Sequence, residues 1–162
     1  MRNGILTILV AAGFLLALGL QLTAGAQGDV ISIDLKTFKF KAKEGVRALN
    51  QYSDMNWMLC FYTNGYAEAP VRIPEDGAYE ITVKASCDAA MKENAKFNFW
   101  VENVLIDKET LLTSEEYRDY KFLVTVKAGD RKVAVEFTND VYKADEYDRN
   151  LFVHDVKVKK VK

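Results

Sequence analysis

Residues 79–85, Tyr-Glu-Ile-Thr-Val-Lys-Ala, alternate apolar and polar side chains at every position. A period of two places one set of side chains on the inner face of a β-strand and the other set toward solvent. The same period recurs in the stretches 31–35, 97–101, 122–126, 133–137 and 151–158. Turn-forming residues separate these stretches about every ten residues, which is typical of sandwiches. The pattern therefore predicts an all-β chain folded as an antiparallel β-sandwich of the jelly-roll type.

Three local features refine this prediction. The stretch 57–62 is apolar on both faces, which indicates a central strand or a strand that lines a binding surface. The turn Ala128-Gly129-Asp130 separates two strands closely enough to predict a hairpin. In the last strand, simple alternation puts His154 on the same face as Val156. His154 is the only histidine and has no nucleophile near it in the sequence, so we expect a structural role for it and not a catalytic one.

The first 26 residues predict an export signal. Residues 5–22 carry no charge, one cation precedes them, and Ala24-Gly25-Ala26 supplies the small residues that a signal peptidase requires. We therefore expect a signal peptide at 1–26, a single domain at 27–162, and a secreted or cell-surface protein with no membrane contact after cleavage. The alternative is that the apolar run remains as an N-terminal anchor.

Charge and cysteine content narrow the partners and the chemistry. The chain has 22 Lys and Arg against 23 Asp and Glu, so it offers no electrostatic basis for binding nucleic acid. Cys60 and Cys87 form an even pair in a chain predicted to be exported, which makes a disulfide a candidate. Two unpaired cysteines that are buried as small apolar side chains remain the alternative.

Enzyme motifs are missing, and the unusual chemistry is concentrated in residues 139–150. The sequence has no G-x-S-x-G, H-E-x-x-H, phosphate loop or dinucleotide fingerprint, so we expect no enzymatic activity. The segment 139–150 carries four acids, which are Asp140, Asp145, Glu146 and Asp148. Oxygen-rich loops of this kind suit Ca²⁺, although a charged, solvated loop is the alternative. Tyr142 and Tyr147 in the same segment are suited to stacking on sugar rings.

Two stretches in this region resemble the calcium-dependent xylan-binding carbohydrate-binding modules. They are Phe-Thr-Asn-Asp at 137–140 and Asp-Arg-Asn-Leu-Phe-Val at 148–153, and the order of motifs from residue 57 to residue 83 is similar as well. The resemblance implies a non-catalytic β-sandwich that binds polysaccharide, xylan-like in having vicinal diols, through a loop-bound Ca²⁺. Other cell-surface or hydrolase chains are possible partners. The alternative is a structural or adhesive cell-surface sandwich whose calcium only stabilises the loop.

The resemblance also implies roles for individual residues. Asp140 and Asp148 are the expected metal ligands, and the further candidates from the same segment are Asn139, Asp145 and Glu146. The candidates for contact with the glycan are Tyr142, Tyr147, Asn150 and Trp100, although Trp100 could equally pack between the sheets. Arg149 is expected to pair with a carboxylate and to brace the loop. A second, structural Ca²⁺ would fall to Asp34 and Asp155.

Overall fold

The computed structural model describes residues 29–41 and 49–161. Thirteen strands make up the described chain, with one short 3₁₀ turn at Leu35–Thr37. The strands are β1 (Val30–Ser32), β2 (Lys39–Lys41), β3 (Gln51–Ser53), β4 (Met58–Phe61), β5 (Gly65–Ile73), β6 (Gly77–Asp88), β7 (Lys96–Val101), β8 (Val104–Leu111), β9 (Arg118–Val126), β10 (Gly129–Phe137), β11 (Tyr142–Lys143), β12 (Tyr147–Asp148) and β13 (Asn150–Lys160).

Two antiparallel sheets form the sandwich. The six-stranded sheet has the order β3-β4-β13-β6-β9, with β1 also paired to β13, and the five-stranded sheet has the order β2-β5-β10-β7-β8. A separate two-stranded hairpin joins β11 to β12. The predicted antiparallel β-sandwich is therefore confirmed.

The alternating side chains of each strand meet between the sheets. On β6, Tyr79, Ile81 and Val83 are buried as the sequence period predicts. Phe99 of one sheet stacks on Phe122 of the other, with 4.4 Å between ring centroids. Burying a side chain of this size contributes about 1.5–3 kcal/mol, so such rows supply the main stabilisation of the fold.

The hairpin predicted at residues 128–130 is wrong. Strand β9 pairs with β6, whereas β10 pairs with β5 and β7, so the turn carries the chain from one sheet to the other. Gly129 has a φ of 114°, which a residue with a side chain rarely adopts. A short turn between two strands thus marks a change of sheet here, which local sequence does not distinguish from a hairpin.

A β-bulge changes the facing of the last strand. In the pairing of β13 with β6, Val153 is opposite Ala85 and Asp155 is opposite Lys84, which leaves His154 as the extra residue. Val153 and Val156 both point into the core as a result. The prediction that His154 shares a face with Val156 is therefore wrong.

The disulfide candidate is also wrong. Cys60 and Cys87 are free thiols, and both are buried. They lie on β4 and β6, the two neighbours of β13, where Cys60 is opposite Phe152 and Cys87 is opposite Leu151. Adjacent residues of a strand face opposite ways, so the two thiols point to opposite faces of the sheet. That orientation, with one strand between them, rules out the bond geometry.

The predicted signal peptide at residues 1–26 lies outside the described residues. Across 29–41 and 49–161, the chain forms no helix with the length and apolar character that crossing a bilayer requires.

Candidate functional site

The end of the sandwich where β10 leads into the β11–β12 hairpin contains an open cleft. Its volume is about 670 Å³, and its lining residues are Leu49, Gln51, Tyr62, Thr63, Asp140, Tyr142 and Asp148. Asp140 precedes the hairpin, and Asp148 is on the returning strand, directly opposite Tyr142. The structure therefore brings together the two acids that the sequence singled out as metal ligands.

Asp140 is in an unusual electrostatic position. Its Oδ1 atom is buried and has no hydrogen-bond partner. Burial, and secondarily the charge of Asp148, raise the pKa of the Asp140 carboxyl. A carboxylate that is partly withdrawn from water beside a second carboxylate is costly unless a cation or donor compensates it. The arrangement therefore suits the binding of a positive charge in the cleft.

The backbone at Asp140 is fixed from two sides. Its N–H donates to Oδ1 of Asn64, at 2.7 Å. The neighbouring Asn139 accepts from the backbone N–H of Lys96 and donates to the carbonyl of Asn94. The side chain of Asn139, predicted as a metal ligand, is thus engaged in holding the loop rather than lying free in the cleft.

Arg149 braces the same loop from within the protein. It is 4% exposed, and its guanidinium donates to the carbonyls of Glu93 (3.0 Å), Asn139 (2.6 Å) and Ala90 (2.5 Å). It also lies 3.5 Å from the carboxylate of Glu93. The predicted bracing role of Arg149 is confirmed.

Asn150 begins β13 beneath the hairpin. Its Nδ2 donates to Oδ2 of Asp88 at 2.9 Å, while its Oδ1 is buried without a partner. Together with Oδ1 of Asp140, this is a second buried acceptor oxygen that lacks a donor. Native proteins leave few such atoms unpaired, so each of these oxygens is expected to take a water or an ion as its partner.

Two of the predicted ligands lie away from the cleft. Asp145 and Glu146 are exposed at the tip of the hairpin, where Asp145 has a φ of 61° in the turn. Glu146 forms an ion pair with Lys143 across that turn, at 2.5 Å. The structure does not bring these acids to Asp140 and Asp148.

The aromatic candidates separate into two places. Tyr142 is 67% exposed and lines the cleft, whereas Tyr147 is half-buried on the opposite strand of the hairpin, paired with Lys143. Trp100 lies on the outer face of the five-stranded sheet, where its Nε1 donates to Oε2 of Glu136 at 3.0 Å. The alternative of Trp100 packing between the sheets is therefore excluded.

Sequence reasoning missed the opposite wall of the cleft. Tyr62 and Thr63 follow β4, and Leu49 and Gln51 flank the start of β3. The one signal for them was the doubly apolar stretch 57–62, which favoured either a central strand or a binding-surface strand. The central strand is confirmed, because β4 lies between β3 and β13, and the chain reaches the cleft just after β4, at Tyr62 and Thr63.

His154 lies on the outer face of the other sheet. Its Nε2 is 3.2 Å from Oγ of Ser86, and its ring is packed edge-on against Tyr117 with a centroid distance of 3.8 Å. Burial, with a smaller contribution from Lys84, lowers the pKa of His154 to about 4. A serine thus lies beside the histidine, contrary to expectation, but neither residue lines the cleft around Asp140.

The residues present fit a calcium ion in their chemistry. Ca²⁺ takes oxygen ligands only, from carboxylates, amide carbonyls and water, and tolerates irregular geometry. The cleft offers Asp140 and Asp148, and the buried Oδ1 of Asn150 is a further acceptor nearby in sequence. No group of three or more His, Cys, Asp or Glu side chains is gathered as a metal site within the described residues. Two carboxylates supply only part of the six to eight oxygens that Ca²⁺ takes, so a site built on them would leave positions for other oxygens.

The residues suggested for a second ion have partners of their own. Asp34 caps the 3₁₀ turn by accepting from the N–H of Lys36, and Asp155 forms an ion pair with Lys157. A second ion there stays a prediction.

Comparison with known families identifies the chain. A family model described as Ca-dependent carbohydrate-binding module, xylan-binding (CBM60), matches residues 80–162, about half of the chain. These residues include both acids of the cleft and the whole segment between them. No curated protein matches the sequence.

Solved structures agree on the fold. The chain is similar to a CBM36-1 domain of a multidomain xylanase from the hindgut metagenome of Trinervitermes trinervoides, with 8% identity, a TM-score of 0.59, and coverage of 83% of this chain and 99% of that one. It is similar to a family 35 carbohydrate-binding module from Clostridium thermocellum, with 12% identity, a TM-score of 0.56, and coverage of 82% and 99%. A CBM36 module in complex with calcium and xylotriose has 11% identity, a TM-score of 0.55, and coverage of 82% and 99%. The chain belongs to the calcium-dependent, xylan-binding carbohydrate-binding module family.

Proposed function

We propose that this protein is an exported, non-catalytic module that binds xylan-like polysaccharide through Ca²⁺ held by Asp140 and Asp148. The observation that carries the proposal is the buried, unpartnered Oδ1 of Asp140 in a cleft that also contains Asp148. The family match and the solved module that contains calcium and xylotriose support it.

Recognition follows from the way the cleft is built. When bound, the ion supplies coordination positions that two adjacent sugar hydroxyls can fill. Tyr62 and Tyr142 line the same cleft and offer apolar ring surface to a pyranose. Asn64 and Arg149 hold the loop backbone, so little ordering remains to be done on binding.

The same acids are proposed as ligands and not as a catalytic pair. A small glycoside hydrolase would need one carboxyl as acid and another as base or nucleophile, placed on either side of a bound sugar. Release of reducing sugar from xylan by the purified chain would revive that function. A structural or adhesive sandwich remains the other candidate, favoured by the close bracing of the loop by Arg149.

Calcium should stabilise the folded protein. A ligand that binds only the folded state contributes about 2.7 kcal/mol at a hundredfold excess over its Kd. We expect millimolar Ca²⁺ to raise the melting temperature of the wild type and to leave that of Asp148→Ala unchanged. Glu146→Ala, at the exposed hairpin tip, is the matched control and should keep the full response. An equal calcium response in wild type and Asp148→Ala would remove Asp148 from the ligand set.

The calcium response of the melting temperature, combined with a measurement of retention on xylan, separates the two candidate functions. A calcium-dependent rise in melting temperature without retention on xylan would favour the structural sandwich. A rise in melting temperature together with calcium-dependent retention would favour the binding module.

We also propose that the protein is secreted or displayed at the cell surface after cleavage behind Ala26. The apolar run of residues 5–22 and the small residues at 24–26 support this proposal. The intact mass of protein recovered outside the cell should correspond to a chain that starts at Gln27. A mass that retains residues 1–26 would indicate an anchor instead.

A further inference from the structure

Asn150 brings a second buried oxygen to the place where Asp140 has its own. Oδ1 of each residue is buried and has no hydrogen-bond partner. Strands β11 and β12 are antiparallel, and just outside their paired residues the N–H of Arg149 donates to the carbonyl of Val141 at 3.0 Å. The next step of this register puts Asp140 opposite Asn150, and residues directly opposite each other share a face. The register therefore brings Asn150 to the same face of the loop as Asp140.

Strand β13 carries Asn150 toward the wall of the cleft that Tyr62 forms. Leu151 is opposite Phe61, the residue before Tyr62, and the ring of Phe152 meets that of Tyr62 edge-on with a centroid distance of 6.2 Å. Asn150 and Phe152 are two residues apart in the strand and share its outward face. Because Asn150 is only 5% exposed, it lies beneath the surface of the cleft beside this wall.

Asp88 fixes the orientation of the Asn150 amide. The two residues are directly opposite in the pairing of β6 with β13, and Nδ2 of Asn150 donates to Oδ2 of Asp88 at 2.9 Å. The reversed amide would put its oxygen against the carboxylate, where no donor is available to it. Asp88 is exposed at the end of β6, so its carboxylate holds the amide without being buried itself. Oδ1 of Asn150 is therefore directed away from Asp88.

The charges near Asn150 favour a cation over a water molecule. Within the part of the chain that the structure describes, the cleft is lined by Asp140 and Asp148 and by no basic side chain. Arg149 faces the other side of the hairpin, where its guanidinium is taken up by three backbone carbonyls. A water molecule can donate to both buried oxygens, but it leaves the two carboxylates uncompensated. Ca²⁺ satisfies both needs, because it takes amide as well as carboxylate oxygens.

We propose that Oδ1 of Asn150 is a further ligand of the calcium ion and that Asp88 is the positioning residue that directs it. This inference rests on the proposed function, because it concerns the ion that Asp140 and Asp148 hold. Asn150 belongs to β13, which the core fixes, so part of the site is ordered before the ion binds. Asn150 then acts through the ion and does not touch the glycan, because its oxygen is buried.

Calorimetric titration with Ca²⁺ alone, without glycan, tests the ligand. We expect Asn150→Leu to lower the calcium affinity roughly tenfold or more, since leucine has a similar size but no oxygen. The metal-free variant should melt at about the same temperature as the wild type, because an unpaired buried acceptor is removed as well. Asn98→Leu is the matched control, since Nδ2 of Asn98 also donates to a carboxylate, that of Glu136 at 2.8 Å, but in the other sheet. Its calcium affinity should equal that of the wild type.

Two substitutions of Asp88 separate positioning from charge. Asp88→Ala removes the acceptor that holds the amide of Asn150, and loss of such an outer partner lowers metal affinity about 10- to 100-fold. Asp88→Asn keeps an oxygen that can accept from Nδ2 of Asn150, so it should lose much less calcium affinity. Both substitutions remove the same charge, so the difference between them measures the acceptor alone. Equal losses in the two variants would overturn the positioning role of Asp88.

Exchanging the two side chains keeps both the hydrogen bond and the oxygen. In protein that carries Asn150→Asp together with Asp88→Asn, the amide donates to the carboxylate from the other side, and one carboxylate oxygen still faces the loop. We expect this double variant to bind Ca²⁺ at least as tightly as the wild type, since the exchanged ligand carries a charge. An affinity well below that of the wild type would overturn the ligand role, even if Asn150→Leu proves to be poorly folded.

The outcomes separate this proposal from the proposed function. If the wild type binds Ca²⁺ and Asn150→Leu binds it equally well, Asn150 is not a ligand, and the proposed function still stands on Asp140 and Asp148. Unchanged calcium affinity with weaker xylan binding at saturating Ca²⁺ would make Asn150 a glycan contact instead and would also overturn the proposal. Absence of calcium binding by the wild type would overturn both. Weaker calcium binding by Asn150→Leu, with an unchanged melting temperature in chelator, supports the ligand role.

Discussion

Asp140→Ala should remove calcium-dependent xylan binding. The substitution deletes the one cleft carboxylate whose oxygen is buried without a partner. Removing a residue that hydrogen-bonds to a metal ligand already lowers metal affinity about 10- to 100-fold. Removing the ligand itself should therefore lower it by roughly 100-fold or more. Titration of soluble xylan into the variant in the presence of Ca²⁺, compared with the wild type, measures the effect.

The stability of Asp140→Ala without calcium distinguishes this loss from misfolding. Removing a half-buried carboxylate beside Asp148 relieves repulsion and desolvation, which are the causes of the raised pKa of Asp140. We therefore expect the metal-free variant to be about as stable as the wild type, or slightly more stable. Asp145→Ala, at the hairpin tip, is the matched control and should bind normally. Unchanged xylan binding by Asp140→Ala would take Asp140 out of the site.

Arg149→Met should strongly destabilise the folded protein. The guanidinium is 4% exposed and satisfies the carbonyls of Ala90, Glu93 and Asn139. Methionine fills much of the volume but donates nothing, so all three carbonyls lose the guanidinium as a donor, and only those of Ala90 and Glu93 keep a backbone N–H, each from the other residue. Breaking a buried charged network of this kind costs about 3–5 kcal/mol. Urea unfolding, with the free energy extrapolated to water, measures it.

Arg118→Met is the matched control for this substitution. Arg118 pairs with Glu116 at 3.1 Å, but both side chains are more than half exposed, and such pairs contribute about 0–1 kcal/mol. Arg149→Lys should also be strongly destabilised, since one ammonium cannot reproduce a fork that reaches three carbonyls. A free energy of unfolding within about 1 kcal/mol of the wild type for Arg149→Met would contradict the bracing role.

Strand period predicted the fold because it is a local property that burial reinforces. Tyr79, Ile81 and Val83 must share a face whatever their neighbours are, and the structure buries all three. Connections between strands are not local. The turn before Gly129 has the composition of a hairpin but changes sheet, since the inner faces of β9 and β10 belong to opposite layers.

The bulge at His154 shows the same limit inside a strand. One extra residue in β13 shifts every later side chain by one position, and no residue type signals it. The predicted disulfide is wrong for a related reason. A bond between the two cysteines depends on how many strands separate them and on the face of the sheet to which each thiol points. Neither the number of intervening strands nor the face of each thiol follows from the separation of the cysteines in the sequence.

The structure brings the predicted site residues together where the sequence motif and the strand pairing coincide. Asp140 and Asp148 flank a hairpin whose paired strands return the second acid to the first. Asp145 and Glu146 have the same chemistry, but they occupy the turn, and a turn tip faces solvent. The wall formed by Tyr62 and Thr63 comes from a distant part of the chain, so only the tertiary fold brings it to the cleft.

The affinity of the wild-type protein for xylotriose, measured by calorimetry with calcium and then with a chelator, tests the central claim most directly. We expect saturable binding in millimolar Ca²⁺, a fall of about 100-fold or more after chelation, and recovery when Ca²⁺ but not Mg²⁺ is restored. Magnesium should fail because it demands a rigid octahedron and gives up its waters reluctantly. Equal affinity with and without calcium would contradict the account.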